Sequence, residues 1–251
     1  MKRKAPKVPF WQYIWSVWLA IHFLSVFFLI LPFLYLTLSR PAWYPAAHAL
    51  RKWWGAYILF MSGIRLKPEF EVPLEKGKTY VFVPNHSSYL DIPSVTVLLP
   101  GYFIFMAKAE LAKLPLFGIF FRTIDIAVNR KSAIQSHKSF LKAGKRLANG
   151  VSICLFPEGT IPPNSPELGK FKDGPFRLAI ESGVEIVPIT LPDNHKRLPD
   201  KGSFYGTPGK MRMYVHRPIP AAGLKLEDTA SLKQEVYRII ESKLAEYAHH
   251  G

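Results

Sequence analysis

The stretch TYVFVPNHSSYLD, residues 79–91, decides how this chain is read. Tyr80, Val81, Phe82 and Val83 form a short apolar run rich in β-formers, the pattern of a fully buried strand. Pro84 ends it, because proline has no N–H to give to a ladder. Asn85, His86, Ser87 and Ser88 are cap and turn residues, and they predict a helix that carries Asp91, Ile92, Val95, Leu98 and Leu99. His86 therefore stands where a strand hands over to a helix, with a carboxylate five residues on. Open α/β sheets bind ligands outside the C-terminal ends of their strands. If Asp91 folds back onto one ring nitrogen, it sets the tautomer and frees the other nitrogen to take a proton from a hydroxyl. Such a pair is a catalytic triad without a nucleophile of its own, and the hydroxyl would be the substrate's. A histidine near a helix start is also often a simple cap, so the spacing needs support from the rest of the chain.

Composition narrows the classes. The chain has 251 residues, 49% of them hydrophobic, which suits one domain with an appendage and a sizeable core. Lysine and arginine number 33 against 18 acids, a formal charge of +15. That excess favours an anionic partner: nucleic acid, acidic lipid headgroups or an acidic carrier. Cys154 is the single cysteine, so no intrachain disulfide and no cysteine-rich metal site can form. Nothing in the sequence beside Cys154 would lower its pKa, and a small core residue is expected there.

The N-terminal part has a different character. Lys2, Arg3, Lys4 and Lys7 precede a stretch from Phe10 to Leu38 without one Asp, Glu, Lys or Arg. That run exceeds the roughly 20 residues needed to span a bilayer core, and Pro32 is expected to kink or end its helix. All six tryptophans lie at or before Trp54, as expected of residues at a membrane–water interface. From about Ala46 to Met61, one helical face carries Leu50, Trp53, Trp54, Tyr57, Ile58 and Met61, with Arg51 and Lys52 off it. This predicts an amphipathic helix lying in the interface. Basic residues flank the apolar run on both sides, and a hairpin dipping into one leaflet keeps both flanks cytoplasmic. The expected organisation is a monotopic, membrane-embedded helical hairpin over residues 1–62, then a catalytic domain over 63–251 on the cytoplasmic face.

From Gly63 onward strands and helices alternate. Strands are expected at Ile64–Pro68 (an edge), Tyr102–Met106, Ile124–Val128, Val151–Phe156, Val184–Leu191 and, at another edge, Met211–Val215. A helix is expected over Lys131–Asn149 with Ile134, His137, Leu141 and Ala148 inward. A last helix is expected to begin near Ser231, with Leu232, Val236, Ile239, Ile240 and Leu244 on one face. The order predicts an α/β fold, a layered domain with a mixed, largely parallel sheet. His86, Asp91, Lys108, Asn129, Arg130, Glu158, Gly159 and Thr160 each end a strand or start a helix, and such loops converge at one sheet edge.

With those residues in place the chain resembles the lysophospholipid acyltransferases of the 1-acylglycerol-3-phosphate acyltransferase type. NHSSYLD matches the first block of that family, Lys108 with PLFG and IDIAVNR the second, FPEGT the third, and FKDGPFRLAIESGVEIVPI the fourth. The resemblance runs from about Ile64 to Val215. It implies that His86 is general base toward the acceptor hydroxyl and that Asp91 orients it. It implies that the hydroxyl attacks an acyl thioester on coenzyme A or acyl carrier protein. Glu158, Gly159 and Thr160 would shape the acceptor pocket, while Lys108 and Arg130 would hold phosphate or the developing oxyanion. It implies a lysophospholipid acceptor, most of all 1-acylglycerol-3-phosphate, with membrane lipids as surroundings. Neither a metal nor a resident cofactor is implied. Two positions depart from the pattern: Ile161 stands where the family usually has arginine after FPEGT, and Asn129 where aspartate commonly precedes the block-ending arginine. A cation missing beside the acceptor pocket leaves another acceptor open, such as a lyso-aminolipid (lyso-ornithine lipid). A catalytically inactive lipid-binding protein would also be basic and anchored, but would not need His86 paired with Asp91. A serine hydrolase would need a Gly-x-Ser-x-Gly elbow, which is missing at Ser87 and Ser88, and nucleic-acid binding would not explain the tryptophan-rich anchor.

Overall fold

Short apolar β-forming runs, buried from both sides, assemble into one mixed and largely parallel sheet. The computed structural model describes residues 8–113, 118–200 and 204–249. The basic flank from Lys2 to Lys7 and the loop residues Leu114 to Phe117, both used above, lie outside the described residues. In chain order the elements are α1 (Phe10–Leu38), α2 (Tyr44–Met61), β1 (Ile64–Phe70), β2 (Val81–Pro84), α3 (Asp91–Leu98) and β3 (Phe103–Lys108). Then come α4 (Gly118–Thr123), β4 (Ile126–Val128), α5 (Ala133–Ala148), β5 (Ser152–Cys154), α6 (Gly174–Ser182), β6 (Ile186–Thr190), α7 (Asn194–Arg197), β7 (Gly209–Val215) and α8 (Thr229–His249).

The strand order is β1-β7-β6-β2-β5-β3-β4. From β6 to β4 all neighbours are parallel, so the C-terminal ends of β2, β3, β4 and β5 share one edge. β7 runs antiparallel to β6 and carries β1 parallel to itself. Alternate residues face opposite layers. Phe82, Phe103, Phe105, Cys154 and Val187 pack with Val95 and Leu99 on the α3 side. Val81, Val83, Ile104, Ile153 and Ile186 pack toward Leu147, Phe176, Leu178 and Val236 of α5, α6 and α8. Each large side chain so buried contributes roughly 1.5–3 kcal/mol. Cys154 is fully buried and its thiol is pushed well up by that burial, an inert core position as expected.

Four expectations are corrected. β7 is interior, not an edge, because β1 pairs along its whole length. On α5 the buried residues are Ala143 and Leu147, while Ile134 and Leu141 are exposed. The helix lies close to the sheet through small residues, and Ser139 Oγ donates to Ala127 O at 2.8 Å. α8 starts at Thr229, near Ser231 as expected, after a short 3-10 turn at Leu226–Asp228. Of the two outcomes expected at Pro32, the early end does not occur, and α1 runs on to Leu38. On α2 the inward face is Ala47, His48, Arg51, Trp54, Ile58 and Leu59, and Trp53 is exposed. The helix does not lie free in an interface. It packs on α3, and Arg51 enters the core.

That burial has a partner. Arg51 Nη1 donates to Asp125 Oδ2 at 2.8 Å with both side chains nearly inaccessible. The guanidinium carbon lies 5.3 Å from the ring centres of Phe105 and of Phe120. Asp125 Oδ1 accepts from the Phe105 N–H at 2.8 Å. Burial first, then the charges of Arg51 and Lys52, pushes His48 down to about 3. Neutral His48 thus accepts at Nδ1 from Arg51 Nη2, 3.0 Å away. Against α2 lies α1, running the opposite way. Trp15 and Trp18 donate to the carbonyls of Ser62 and Met61 at 2.8 and 3.0 Å. Phe23 and Phe27 meet Trp54 at 4.6 and 5.2 Å between ring centres.

Removing one member of a buried ion pair leaves the other charge uncompensated. Asp125→Ala is therefore expected to cost about 3–5 kcal/mol of stability. Denaturant unfolding of the detergent-solubilised chain would measure it. A loss below about 1 kcal/mol, the range of exposed pairs, would refute the role given to this pair.

Candidate active site

The loop between β2 and α3 is shaped by one carboxylate. Asp91 is the first residue of α3 and has no solvent exposure. Its Oδ2 accepts from the backbone N–H groups of Ser87 and Ser88 at 2.6 and 2.9 Å, and is paired with His86 Nδ1 at 2.7 Å. Its Oδ1 accepts from Asn194 Nδ2 at 2.7 Å. With the carboxylate on Nδ1, that nitrogen carries the proton and Nε2 is left with a lone pair. Among the described residues Nε2 makes no hydrogen bond. The ring retains 15% of its surface and stacks on Phe156, centres 4.2 Å apart.

The other anchors come from the strand ends. Asn85 pairs with the Leu191 backbone, its Oδ1 accepting from N–H at 2.7 Å and its Nδ2 donating to O at 3.3 Å. This ties the end of β2 to the chain leaving β6. After β5 comes Glu158, whose Oε1 accepts from the His86 N–H at 2.6 Å and whose Oε2 accepts from the Gly169 N–H at 2.7 Å. Burial pushes the Glu158 carboxyl up to about 7, against the pull of its two backbone donors and of His86. Gly159 has φ +75°, a left-handed conformation that favours glycine, and a Cβ there would meet Arg130 Nη1 at 2.6 Å, a flexible side-chain end that can move aside. Arg130 Nη1 donates to the Gly159 carbonyl at 3.0 Å.

Of the residues named from sequence, His86, Asp91 and Glu158 are joined by hydrogen bonds, and Arg130 is joined to Gly159. Lys108, half-buried at the end of β3, and exposed Thr160 share the edge but make no hydrogen bond or ion pair among the described residues. Asn129 is occupied away from the pair, donating to Gln135 Oε1 at 2.6 Å and accepting from the Lys131 N–H at 3.0 Å.

Asn194 was not foreseen. It is fully buried at the start of α7, holds Asp91, and approaches Ser94 Oγ at 3.1 Å. Its neighbour Asp193 is clamped to β7 by Arg212, with Nε and Nη2 at 2.6 and 2.7 Å from its two oxygens. In sequence the Asp193-Asn194 pair looks like any turn, and nothing local signals a contact 103 residues away.

The chain is similar to known proteins. A family model described as Acyltransferase matches residues 65–192, half of the chain, and takes in His86, Asp91, Lys108, Arg130 and Glu158. The chloroplastic 1-acyl-sn-glycerol-3-phosphate acyltransferase LPAT1 of Arabidopsis thaliana is 30% identical over 68% of this chain and 48% of its own. The chain thus spans about half the length of such chloroplast relatives. The 1-acyl-sn-glycerol-3-phosphate acyltransferase of Haemophilus influenzae is 26% identical over 78% of this chain and 80% of its own. The crystal structure of the 1-acyl-sn-glycerophosphate acyltransferase PlsC of Thermotoga maritima superposes with TM-score 0.77 at 22% identity, covering 94% of this chain and 98% of that one. That likeness shows the same fold.

The state of Glu158 has a pH signature. Between the ordinary value of 4.5 and about 7 the folded chain keeps a proton that the unfolded chain has released. This group's contribution to stability therefore falls as pH rises through that window and is level above it. Glu158→Gln is expected to flatten the decline, as denaturant midpoints taken from pH 4.5 to 7 would show. Equal slopes in wild type and variant would contradict it.

Proposed function

This chain belongs to the Acyltransferase family, and we propose that it moves a fatty acyl group from an acyl thioester to the free hydroxyl of a lysophospholipid. The observation that carries the proposal is the His86–Asp91 pair, with Nδ1 occupied and Nε2 unpartnered at a partly open surface. Nε2 takes the proton of the acceptor hydroxyl as its oxygen attacks the thioester carbonyl. The C–O bond forms, the C–S bond breaks, and the imidazolium returns the proton to the leaving thiolate. The products are an ester and a free thiol. Asp91 stabilises the imidazolium, and Asn194 with the Ser87 and Ser88 amides keeps Asp91 in place. Glu158 acts through the His86 backbone. Lys108 and Arg130 supply positive charge for the acceptor phosphate and the developing oxyanion. The acyl thioester is a co-substrate, and no metal enters these steps.

The relatives' names support 1-acylglycerol-3-phosphate as acceptor and phosphatidic acid as product. Ile161, an apolar residue at the edge of the FPEGT turn, favours a second acceptor class, the lyso-aminolipids. Membrane placement rests on α1, which is long and apolar enough to cross a bilayer by length and composition. One stripe of α1 packs on α2. Another, with Phe10, Ile14, Val17, Ile21, Leu24 and Phe28, is exposed and apolar, a surface suited to lipid. The α1 start meets the segment that follows α7: the Gln12 carbonyl accepts from the Gly206 N–H, and Tyr13 lies 6.1 Å from Tyr205. The anchor is monotopic, and the catalytic part faces the cytoplasm.

His86→Ala is expected to lower kcat by about 10²–10⁴-fold while flotation with phospholipid vesicles is unchanged. The assay offers a panel of lysophosphatidic acid, other lysophospholipids and lyso-ornithine lipid, and turnover retained by the variant would move the chemistry elsewhere. Topology needs an engineered thiol, because Cys154 is fully buried. Cys154→Ser with Lys225→Cys should resist an impermeant maleimide in intact cells and react after permeabilisation. Labelling of intact cells would place the domain on the other side.

A further inference from the structure

α7 is short, and it grips the loop between β2 and α3 at both of its ends. Its first residue, Asn194, donates to Asp91 Oδ1 at 2.7 Å. Just past its last residue, the Leu198 carbonyl accepts from Ser88 Oγ at 2.7 Å, and Pro199 bridges to Ser88. Tyr89 then donates to Asp200 Oδ1 at 2.8 Å. Ser88 is also one of the two residues whose backbone N–H binds Asp91. The place of α7 therefore decides the place of the Asp91 carboxylate and of the His86 ring.

Two supports hold α7. One is the clamp of Arg212 on Asp193. The other is the chain that leads into β7. The Thr207 N–H donates to the Arg197 carbonyl at 2.8 Å and Thr207 Oγ1 to the Lys196 carbonyl at 2.9 Å. Arg197 Nη1 donates in return to Thr207 Oγ1 at 3.1 Å and to the Pro208 carbonyl at 2.6 Å. Gly206 is thereby pressed between the Arg197 carbonyl and a ring from α1. A Cβ at Gly206 would run into that carbonyl oxygen and into the edge of Trp15, whose Cε3 would be 3.0 Å away. Glycine is what lets α1 and α7 come so close. Trp15 is half-buried, and its Nε1 donates to the Ser62 carbonyl at 2.8 Å.

Trp18, three residues on, is a matched comparison. Its Nε1 donates to the Met61 carbonyl at 3.0 Å, so both tryptophans tie α1 to the end of α2. Of the two, Trp15 is the one that lies against Gly206. Anchoring accounts for the bond to Ser62 and leaves the seat on Gly206 unexplained.

We infer that Trp15 is a positioning residue for the reaction proposed above, and the inference rests on that reading. Its ring, set on Gly206, seats α7, and α7 keeps Asp91 and His86 in register through Asn194 and Ser88. α1 is then part of the support of the active site. Proton transfer is steep in geometry, and a misplacement of about 1 Å set up far from the chemistry can cost about 10²-fold.

The test uses the full-length chain in phospholipid vesicles, with lysophosphatidic acid and whichever of palmitoyl-coenzyme A and palmitoyl-acyl carrier protein the wild type accepts. Trp15→Ala is expected to lower kcat by about 10–10²-fold, with KM for the lysolipid and flotation with vesicles as in wild type. Trp15→Phe keeps a flat ring over Gly206 and should recover most of kcat. Trp18→Ala should retain turnover. In a double-mutant cycle, Trp15→Ala/Asn194→Ala should fall no more than about twofold below the slower single variant, because both act through one element. If Trp15→Ala does not yield folded protein by denaturant unfolding, Trp15→Leu is read in its place. Equal losses in Trp15→Ala and Trp18→Ala, with weaker flotation, would mean that both tryptophans only anchor and would overturn the inference. Wild-type kcat in Trp15→Ala, or losses that multiply in the double variant, would also overturn it and leave the acyltransferase reading standing. Failure of the wild type with both donors across all acceptors would instead remove that reading, and this inference with it.

Discussion

Asp91 has no contact with solvent, and four donors converge on its two oxygens. A carboxylate is buried at tolerable cost only when its lone pairs are met. The conformation of residues 85–91 follows from that demand. Two successive amides must turn inward, so the chain cannot pass straight from β2 into a helix and α3 starts only at Asp91 itself. The imidazole of His86 completes the set on one oxygen. The second oxygen is met from a distant part of the chain, and that part must be held as firmly as the loop. Arg212 supplies this hold by gripping Asp193 against β7, which fixes the start of α7 and places Asn194 under Asp91. Losing any of these donors would leave an unmet charge beneath the histidine, so the site and the local fold are stabilised by the same bonds.

Glu158 extends the arrangement to the other side of the ring. Its two oxygens bridge the His86 amide and the Gly169 amide, so the loop after β5 and the loop after β2 are one unit. Phe156, two residues earlier, covers one face of the imidazole. A ring flanked by an aromatic plane, pinned at Nδ1 and held at its own backbone N–H has little freedom left. Orientation of this kind lowers the entropy that a proton transfer would otherwise demand.

What was legible in the sequence was local. The run Tyr80–Val83 and the cluster Asn85–Ser88 gave the strand and the turn, because a buried strand and a turn each declare themselves within a few residues. The His86–Asp91 pair spans five residues and was legible for the same reason. Asn194, Arg51 and the interior place of β7 were not. Each depends on a partner far along the chain: Asp91, Asp125 and β1. Arg51 looked like a solvated charge because burial of an arginine is set by what awaits it, here a carboxylate and two phenylalanine rings. The inward face of α5 was misjudged because side-chain size was taken as the guide. The helix lies close to the sheet through Ser139, Ala143 and Leu147, and close approach selects small residues where a wider gap would select large ones.

The two faces of the sheet are covered by different helices. α1 offers its apolar stripe on the α3 side of the sheet, and its first turns touch the segment that follows α7. α5 stands on the other side and opens onto the same edge. A sheet with parallel strands suits this division, because its loops gather at one edge while its two faces are covered by different helices. The buried Arg51–Asp125 pair then has a function besides stability. It fixes α2, and with it α1, to the β3–β4 side of the sheet, so α1 and the edge that holds His86 keep a constant relation.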